Sequence, residues 1–298
     1  MIYSVFQVIR PHQWLKNLFI FLPLFFSGQL LRLDYIGIGC LVFLAYSLAC
    51  SSIYCLNDIL DRKADALHPV KKFRPIASGK LSVPAAWLLV ISLLLVSGGI
   101  LWQMQPFIER KALFSAACLI GFYYGLNVCY CLWLKRIAVV DVLIIASGFV
   151  LRILVGGTVM SIELSHWIVI MTFLLALFLA FAKRRDDVIL YQKTGNKPRA
   201  NIHRYNETFL NQVITLIVAV IIVAYIMYCV TPEVMERMNS RYVYATAIFV
   251  LSGLLRYLQL TIVDGKSGSP TKVLMTDHFL QLCIVGWMLS FVVIIYGI

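Results

Sequence analysis

Between Phe209 and Val230 the sequence runs FLNQVITLIVAVIIVAYIMYCV, 22 residues without a formal charge. Wound as an α-helix at about 1.5 Å per residue, the run is about 33 Å long, enough to cross the hydrocarbon of a bilayer. It is apolar on every side rather than along one stripe, so such a helix has no face to offer to water. Comparable windows lie to either side, at 15–33, 36–56, 85–104, 112–133, 138–160, 165–183, 242–261 and 279–297. The expected fold is all-α integral membrane: a bundle of nine transmembrane helices with cytosolic active-site loops, occupying 1–298 as a single domain.

Composition agrees. Hydrophobic residues make up 61% of the chain and charged ones 13%, and the mean hydropathy is +0.87, values that belong to the membrane class. A net charge of +12 would suit nucleic acid if it formed a groove on a solvated domain, but no such domain is left over, so no nucleic-acid partner is expected. The eight cysteines sit in or beside apolar runs with no CxxC pair, which reads as small apolar free thiols rather than a zinc or redox site. Leu18 to Leu31 follows a short basic stretch like a signal peptide but has no small-residue cleavage site after it, and is read as a retained first span.

Lys and Arg set the orientation. With nine spans and a cytosolic N-terminus, 20 of the 26 basic residues fall on the cytosolic side, 5 on the other, and Arg152 lies within a span. The positive-inside rule therefore places the long loops 57–84 and 183–208 in the cytosol. The expected location is the inner (plasma) membrane of a prokaryote, crossed many times, with function at the cytosolic face.

The loop 57–84 opens with Asn57-Asp58-Ile-Leu-Asp61-Arg-Lys-Ala-Asp65. The i, i+3, i+7 spacing puts three carboxylates on one helical face, where they repel each other unless a cation neutralises them. An all-oxygen set favours a hard ion, and Mg²⁺ commonly joins one or two carboxylates to substrate phosphates and water. Lys71, Lys72 and Arg74 follow within the same loop, with Pro69, Pro75 and Gly79 stiffening the turn. Carboxylates for a metal and cations for phosphate oxygens together suit a Mg²⁺-bound diphosphate. The second constellation is Lys183-Arg184-Arg185-Asp186-Asp187 at the end of the sixth window. It is either a surface pairing of Lys183 with Asp187 or a second pole, with cations for phosphate and further metal carboxylates. Lys193, Lys197, Arg199, Asn201, His203, Arg204, Tyr205 and Asn206 follow as a polar run able to meet a sugar or phosphate. Asp264 and Asp277 flank Lys266, Gly268 and Lys272 in the last cytosolic loop.

Arg152 lies eleven residues beyond Asp141, about 16 Å along a helix and so near mid-bilayer. A charge there costs at least ~2.5 kcal/mol and needs a partner or a cavity. A structural ion pair and a phosphate ligand both satisfy that need.

Asn57-Asp58-x-x-Asp61-x-x-x-Asp65, Arg74-Pro75-Ile76-Ala77-Ser78-Gly79 and the nine-window order together resemble the UbiA-type intramembrane prenyltransferase superfamily, across essentially the whole chain. The resemblance implies a nine-helix bundle with a lateral opening to lipid and two aspartate-rich motifs holding Mg²⁺ on a prenyl diphosphate. At the second motif the family's DxxxD is replaced by Lys183-Arg184-Arg185-Asp186-Asp187. That departure, with Arg10-Pro11-His12-Gln13-Trp14-Leu15-Lys16-Asn17, His68-Pro69-x-Lys71 and Gly148-Phe-Val-Leu-Arg152, is similar to one branch, the decaprenyl-phosphate phosphoribosyltransferases. The branch implies that the diphosphate belongs to 5-phosphoribosyl diphosphate and that a polyprenyl phosphate is the nucleophile. On that resemblance Asp58, Asp61, Asp65, Asp186 and Asp187 are expected to hold Mg²⁺, with Asp58, Asp61 and Lys183 catalytic. Lys16, Asn57, Lys71, Arg74, Arg152, Arg184, Arg185 and Tyr205 are expected to bind substrate. The rival enzyme reading moves a prenyl group from its diphosphate to an aromatic or other acceptor. A transporter reading rests on Arg152 with Asp141 as an ion path.

Orientation is open to direct test. Cysteine probes at 80 and 237 should be labelled from opposite sides of the membrane, and labelling from the same side would refute the assignment.

Overall fold

The chain was analysed as a computed structural model describing residues 2–68, 70–195, 201–265 and 270–296. Pro69, Lys197, Arg199, Lys266, Gly268 and the side chain of Lys272 lie outside the described residues. Every regular element among the described residues is helical. In order they are α1 (Ile2–Ile9), a 3-10 stretch (Pro11–Phe21), α2 (Leu22–Phe26), α3 (Leu33–Leu60), α4 (Arg62–Leu67), a 3-10 turn (Lys71–Phe73), α5 (Val83–Gln103), α6 (Arg110–Leu132), a 3-10 turn (Leu134–Arg136), α7 (Val140–Val159) and α8 (His166–Thr194). After a 3-10 turn (Ile202–Arg204) come α9 (Glu207–Val230), α10 (Pro232–Arg237), a 3-10 turn (Val243–Thr246), α11 (Ala247–Ile262), α12 (Pro270–Thr276) and α13 (His278–Tyr296).

Among the described residues eight helical segments are long and apolar enough to cross a membrane, and they match the windows from 36–56 onward. The all-helical membrane architecture expected from sequence is thus present. The window 15–33 is built differently, from the 3-10 stretch and the five residues of α2. Its sequence explains the break: Arg10 takes a left-handed conformation (φ 54°) before Pro11, Pro23 starts α2, and Gly28 (φ 72°) ends it.

Two compact units divide the chain. The first comprises 1–134 with 148–164, the second 135–147 with 165–298. In the first, α3 packs against α5 and α6. Its core gathers Val42, Tyr46, Cys50 and Ile53 of α3 with Ala116, Ile120 and Tyr123 of α6 and Leu151 and Val155 of α7. Ser47, Ser51 and Ser52 of α3 are each satisfied within the unit, as an apolar solvent demands. Ser51 donates to the Ile9 carbonyl at 2.8 Å and accepts from Trp14 Nε1 at 2.9 Å. One turn earlier, Ser47 accepts from Asn17 Nδ2 at 2.8 Å. These bonds fasten the N-terminal segment along α3. The eight cysteines are free thiols, as expected.

In the second unit α8 packs on α9, and α11 packs on α9 and α13. Tyr225 of α9 is joined to Thr246 at 2.7 Å and accepts from Trp287 Nε1 of α13 at 2.7 Å.

Close packing in the first unit depends on Gly156. A Cβ there would overlap the Ile20 carbonyl oxygen and lie 2.9 Å from its carbon. Backbone cannot swing aside as a side-chain tip can. Gly156→Ala is therefore expected to lower stability by about 1–3 kcal/mol, read as a fall in the melting temperature of detergent-solubilised protein. Gly98→Ala, where nothing lies within 4 Å, should leave the melting temperature unchanged or raised.

Candidate functional site

The carboxylates of the first unit sit where α3 runs out of apolar sequence. Asp61 ends α3 and begins α4, and the helical register continues through it: the Asp61 amide donates to the Asn57 carbonyl at 2.9 Å, and the Asp65 amide to Asp61 at 2.8 Å. The i, i+3, i+7 face is therefore retained across the junction. Asp58 and Asp65 are buried, while Asn57 and Asp61 are half-buried.

Two guanidiniums meet this face. Arg74 Nη1 donates to Asp58 Oδ1 at 3.0 Å and to Asp65 Oδ2 at 2.7 Å. The loop holds Arg74 there by burying its own apolar residues: Ile76 and Leu81 pack with Val8, Cys55, Leu56, Ala86 and Val90. The Leu81 amide closes the turn onto the Pro75 carbonyl at 2.9 Å, with Gly79 supplying a positive φ of 78°. The second guanidinium is Arg10, whose Nη2 lies 2.6 and 2.8 Å from the two oxygens of Asp58. Arg10 was not among the binding residues expected from sequence; it comes from the far end of the unit's chain, and only the Arg10-Pro11 pairing signalled it. Beside them, His68 Nδ1 accepts from the Val70 and Lys71 amides at 3.2 and 3.3 Å. Burial, with Lys71 adding to it, pushes the imidazole below its ordinary pKa. Lys16 is exposed and Lys71 half-buried.

The donor set fits a hard divalent cation. Oxygens of Asp58 and Asp65 already converge on a single positive point, the Arg74 nitrogen. No group of three or more His, Cys, Asp or Glu side chains among the described residues is gathered closely enough to ligate a metal by itself. Such a set completes its coordination with phosphate oxygens and water, as Mg²⁺ sites on phosphorylated substrates do.

Arg152 is buried and rests on neutral acceptors: Asn17 Oδ1 at 2.8 Å, the Gly148 carbonyl at 2.6 Å, Tyr123 OH at 3.3 Å and Cys50 Sγ at 3.7 Å. Its guanidinium carbon is 5.1–5.2 Å from the ring centres of Tyr46, Tyr123 and Phe149, contacts favourable to a desolvated cation. It has no carboxylate partner among the described residues, which removes the structural ion pair. Asn17, fully buried between Ser47 and Arg152, was not predicted.

In the second unit Arg184 Nε donates to Asp141 Oδ2 at 2.7 Å, with both side chains almost wholly buried. Tyr205 OH donates to Asp141 Oδ1 at 2.7 Å and accepts from the Val139 amide at 2.7 Å. Burial, with Asp141 adding to it, raises the Tyr205 pKa well above the ordinary value. Asp141 therefore belongs to Arg184 and Tyr205, and the charge pair behind the transporter reading is absent. Arg185 donates to Asn211 Oδ1 at 2.6 Å, Glu207 Oε1 at 2.7 Å and the Thr261 carbonyl at 2.6 Å. Both arginines thus have protein partners, where sequence assigned them to substrate alone. Arg184 Nη2, however, is buried with no hydrogen-bond partner among the described residues, as are both amide atoms of Asn201 and the hydroxyls of Tyr257 and Thr261. Such groups are costly to leave unmet and favour a polar ligand or water. Lys183 is exposed, and Asp186 and Asp187 are half-buried; Asp187 Oδ2 lies 3.5 Å from Arg184 Nη1.

Comparison with known proteins agrees with this chemistry. The chain is 29% identical to the decaprenyl-phosphate phosphoribosyltransferase of Corynebacterium glutamicum over 98% of its own length and 87% of the relative's. It is 31% identical to the protein of the same name from Mycolicibacterium smegmatis over 95% of its own length and 90% of the relative's. Its fold resembles the structure of a UbiA homolog from Archaeoglobus fulgidus bound to GPP and Mg²⁺, with a TM-score of 0.69 at 19% identity, covering 98% of this chain and 99% of that one. The profile of the UbiA prenyltransferase family matches residues 18–283, and with the helical membrane fold and the carboxylate face at the end of α3 this match makes the chain a member of that family.

Proposed function

We propose that the protein transfers a 5-phosphoribosyl group from 5-phosphoribosyl diphosphate to a polyprenyl (decaprenyl-like) phosphate, using Mg²⁺ and releasing diphosphate. The observation that carries the diphosphate chemistry is the convergence of Asp58 and Asp65 on one cation point, with Arg10 and Arg74 in the same cluster. The choice of a phosphoribosyl group is supported by the two named relatives that match along nearly the whole chain.

Asp58, Asp61 and Asp65 would hold Mg²⁺, which supplies charge neutralisation to the diphosphate as it leaves. Asn57, Lys71 and Arg74 contribute donors to the phosphate oxygens, and Lys16 contributes a cation from the N-terminal segment. The bond from the ribose C1 to the diphosphate oxygen breaks with its electron pair leaving on diphosphate. A lipid phosphate oxygen forms the new bond to C1 from the opposite face. The nucleophile is already anionic, so no general base is needed; positioning and charge stabilisation carry the reaction. Within the second unit, Lys183, Arg184 through its unmet Nη2, Arg185, Asp186, Asp187 and Tyr205 are assigned to substrate and metal on the strength of their sequence. The buried Arg152, expected from sequence to bind substrate, is assigned instead to positioning Asn17 and, through it, the N-terminal segment. The working site is placed at the cytosolic face of a prokaryotic plasma membrane.

Two expectations follow. Asp61→Asn and Asp58→Asn should each reduce turnover more than tenfold at saturating Mg²⁺, a loss above about 1.4 kcal/mol. Asp58 anchors two arginines, so its amide variant should also lose about 1–3 kcal/mol, visible as a lower melting temperature.

The substrate is decided by purified enzyme with Mg²⁺ and labelled 5-phosphoribosyl diphosphate. Label should pass to a polyprenyl phosphate. An enzyme that ignores this donor and prenylates an aromatic acceptor from a prenyl diphosphate would overturn the proposal.

A further inference from the structure

Arg10 is more than a clip on the N-terminus. Its Nη2 takes both oxygens of Asp58, yet the segment that carries it is already fastened by Ser51 to Ile9, Trp14 to Ser51 and Asn17 to Ser47. The ion pair is therefore redundant for attachment. Arg74 has Asp65 as a second acceptor, whereas Asp58 is the one carboxylate that Arg10 touches among the described residues. The Arg10 side chain is 22% exposed and the Asp58 side chain 3%, so the cation, unlike its partner, is reachable from water. Its guanidinium also lies 5.4 Å from the centre of the Tyr54 ring, and its backbone holds a left-handed conformation that non-glycine residues rarely adopt.

An oxygen lone pair engaged by a guanidinium hydrogen cannot at the same time serve a divalent cation. Asp58 Oδ1 already accepts from both Arg10 and Arg74, and Oδ2 from Arg10, so a divalent cation binding Asp58 competes with Arg10 for Oδ1 and crowds its charge at Oδ2. We propose that Arg10 is an exchangeable counter-ion of this site: it surrenders Asp58 when a metal-bound diphosphate arrives and passes to a diphosphate oxygen. Asp58 so changes one cation for another without becoming an uncompensated buried charge, and the leaving group gains a charge-assisted donor. The inference rests on the reading that the α3 carboxylates hold a metal diphosphate. It does not depend on whether the diphosphate is attached to ribose or to a prenyl chain.

The test uses full-length protein in detergent and two simple probes. Mn²⁺ binding without phosphate is followed by loss of the free-ion EPR signal, and inorganic diphosphate binding at saturating Mg²⁺ by calorimetry. Arg10→Gln should bind Mn²⁺ about tenfold more tightly and diphosphate about tenfold more weakly, the scale of one charged hydrogen bond. Arg10→Lys, which keeps the charge, should shift both in the same directions by less, and it decides the matter if Arg10→Gln does not fold. Unchanged or weaker Mn²⁺ binding, or unchanged diphosphate binding, overturns the exchange alone. Wild-type protein whose binding of both probes is indifferent to Asp58→Asn overturns the exchange and the site reading together.

Discussion

A carboxylate buried at the end of a membrane helix must be matched by positive charge, and the Asp58 pairings with Arg10 and Arg74 meet that requirement. Much of the first unit is arranged around it. Ile76 and Leu81 are buried so that Arg74 is presented at the right height; Ser47 and Ser51 bind the N-terminal segment so that Arg10 is presented beside it. Neither guanidinium is delivered by the helix that carries the aspartates. Local sequence supplies the negative charge, and tertiary structure supplies its neutralisation.

The second unit solves a similar problem with a different emphasis. Asp141 and Arg184 are almost wholly buried together, and Tyr205 fills the remaining carboxylate oxygen. A buried pair of this kind adds little net stability, because desolvation of both charges offsets their attraction, but removing either partner alone is expensive. Replacing Arg184 and Arg185 together with alanine would therefore report on folding at least as much as on phosphate binding.

The architecture was legible because hydrophobicity over twenty residues is a strong, local signal; each window from 36–56 onward returns as a helix, with α8 running on to Thr194, past the end of its window at 183. The window 15–33 was misleading for a reason also written in it. Pro23 and Gly28 interrupt the backbone, and hydropathy does not register them. The carboxylate face was legible from its i, i+3, i+7 spacing, since one helical register carries it through Asp61. What could not be read was which cations meet which anions. Arg10 reaches Asp58 across 48 positions, and Arg152 reaches Asn17 across 135. Pairings at such separations are products of packing, and charge counting along the chain assigns them by proximity in sequence. Charge counting set Arg184 and Arg185 beside a phosphate, a role they keep in the proposed function, but it could not show the protein acceptors that each also has.

Arg185 shows how little freedom that leaves. One guanidinium reaches a side-chain amide and a carboxylate on α9 together with a carbonyl in the last turn of α11, from its own place on α8. The acceptors lie in different directions, and only a planar group with donors along several edges meets them at once. An ammonium at the end of a single flexible stem would bring the same charge to one of these places and abandon the others. At position 185, then, arginine and lysine are not neighbours in any useful alphabet of substitution: the exchange would preserve the electrostatics and dismantle the joint among three helices.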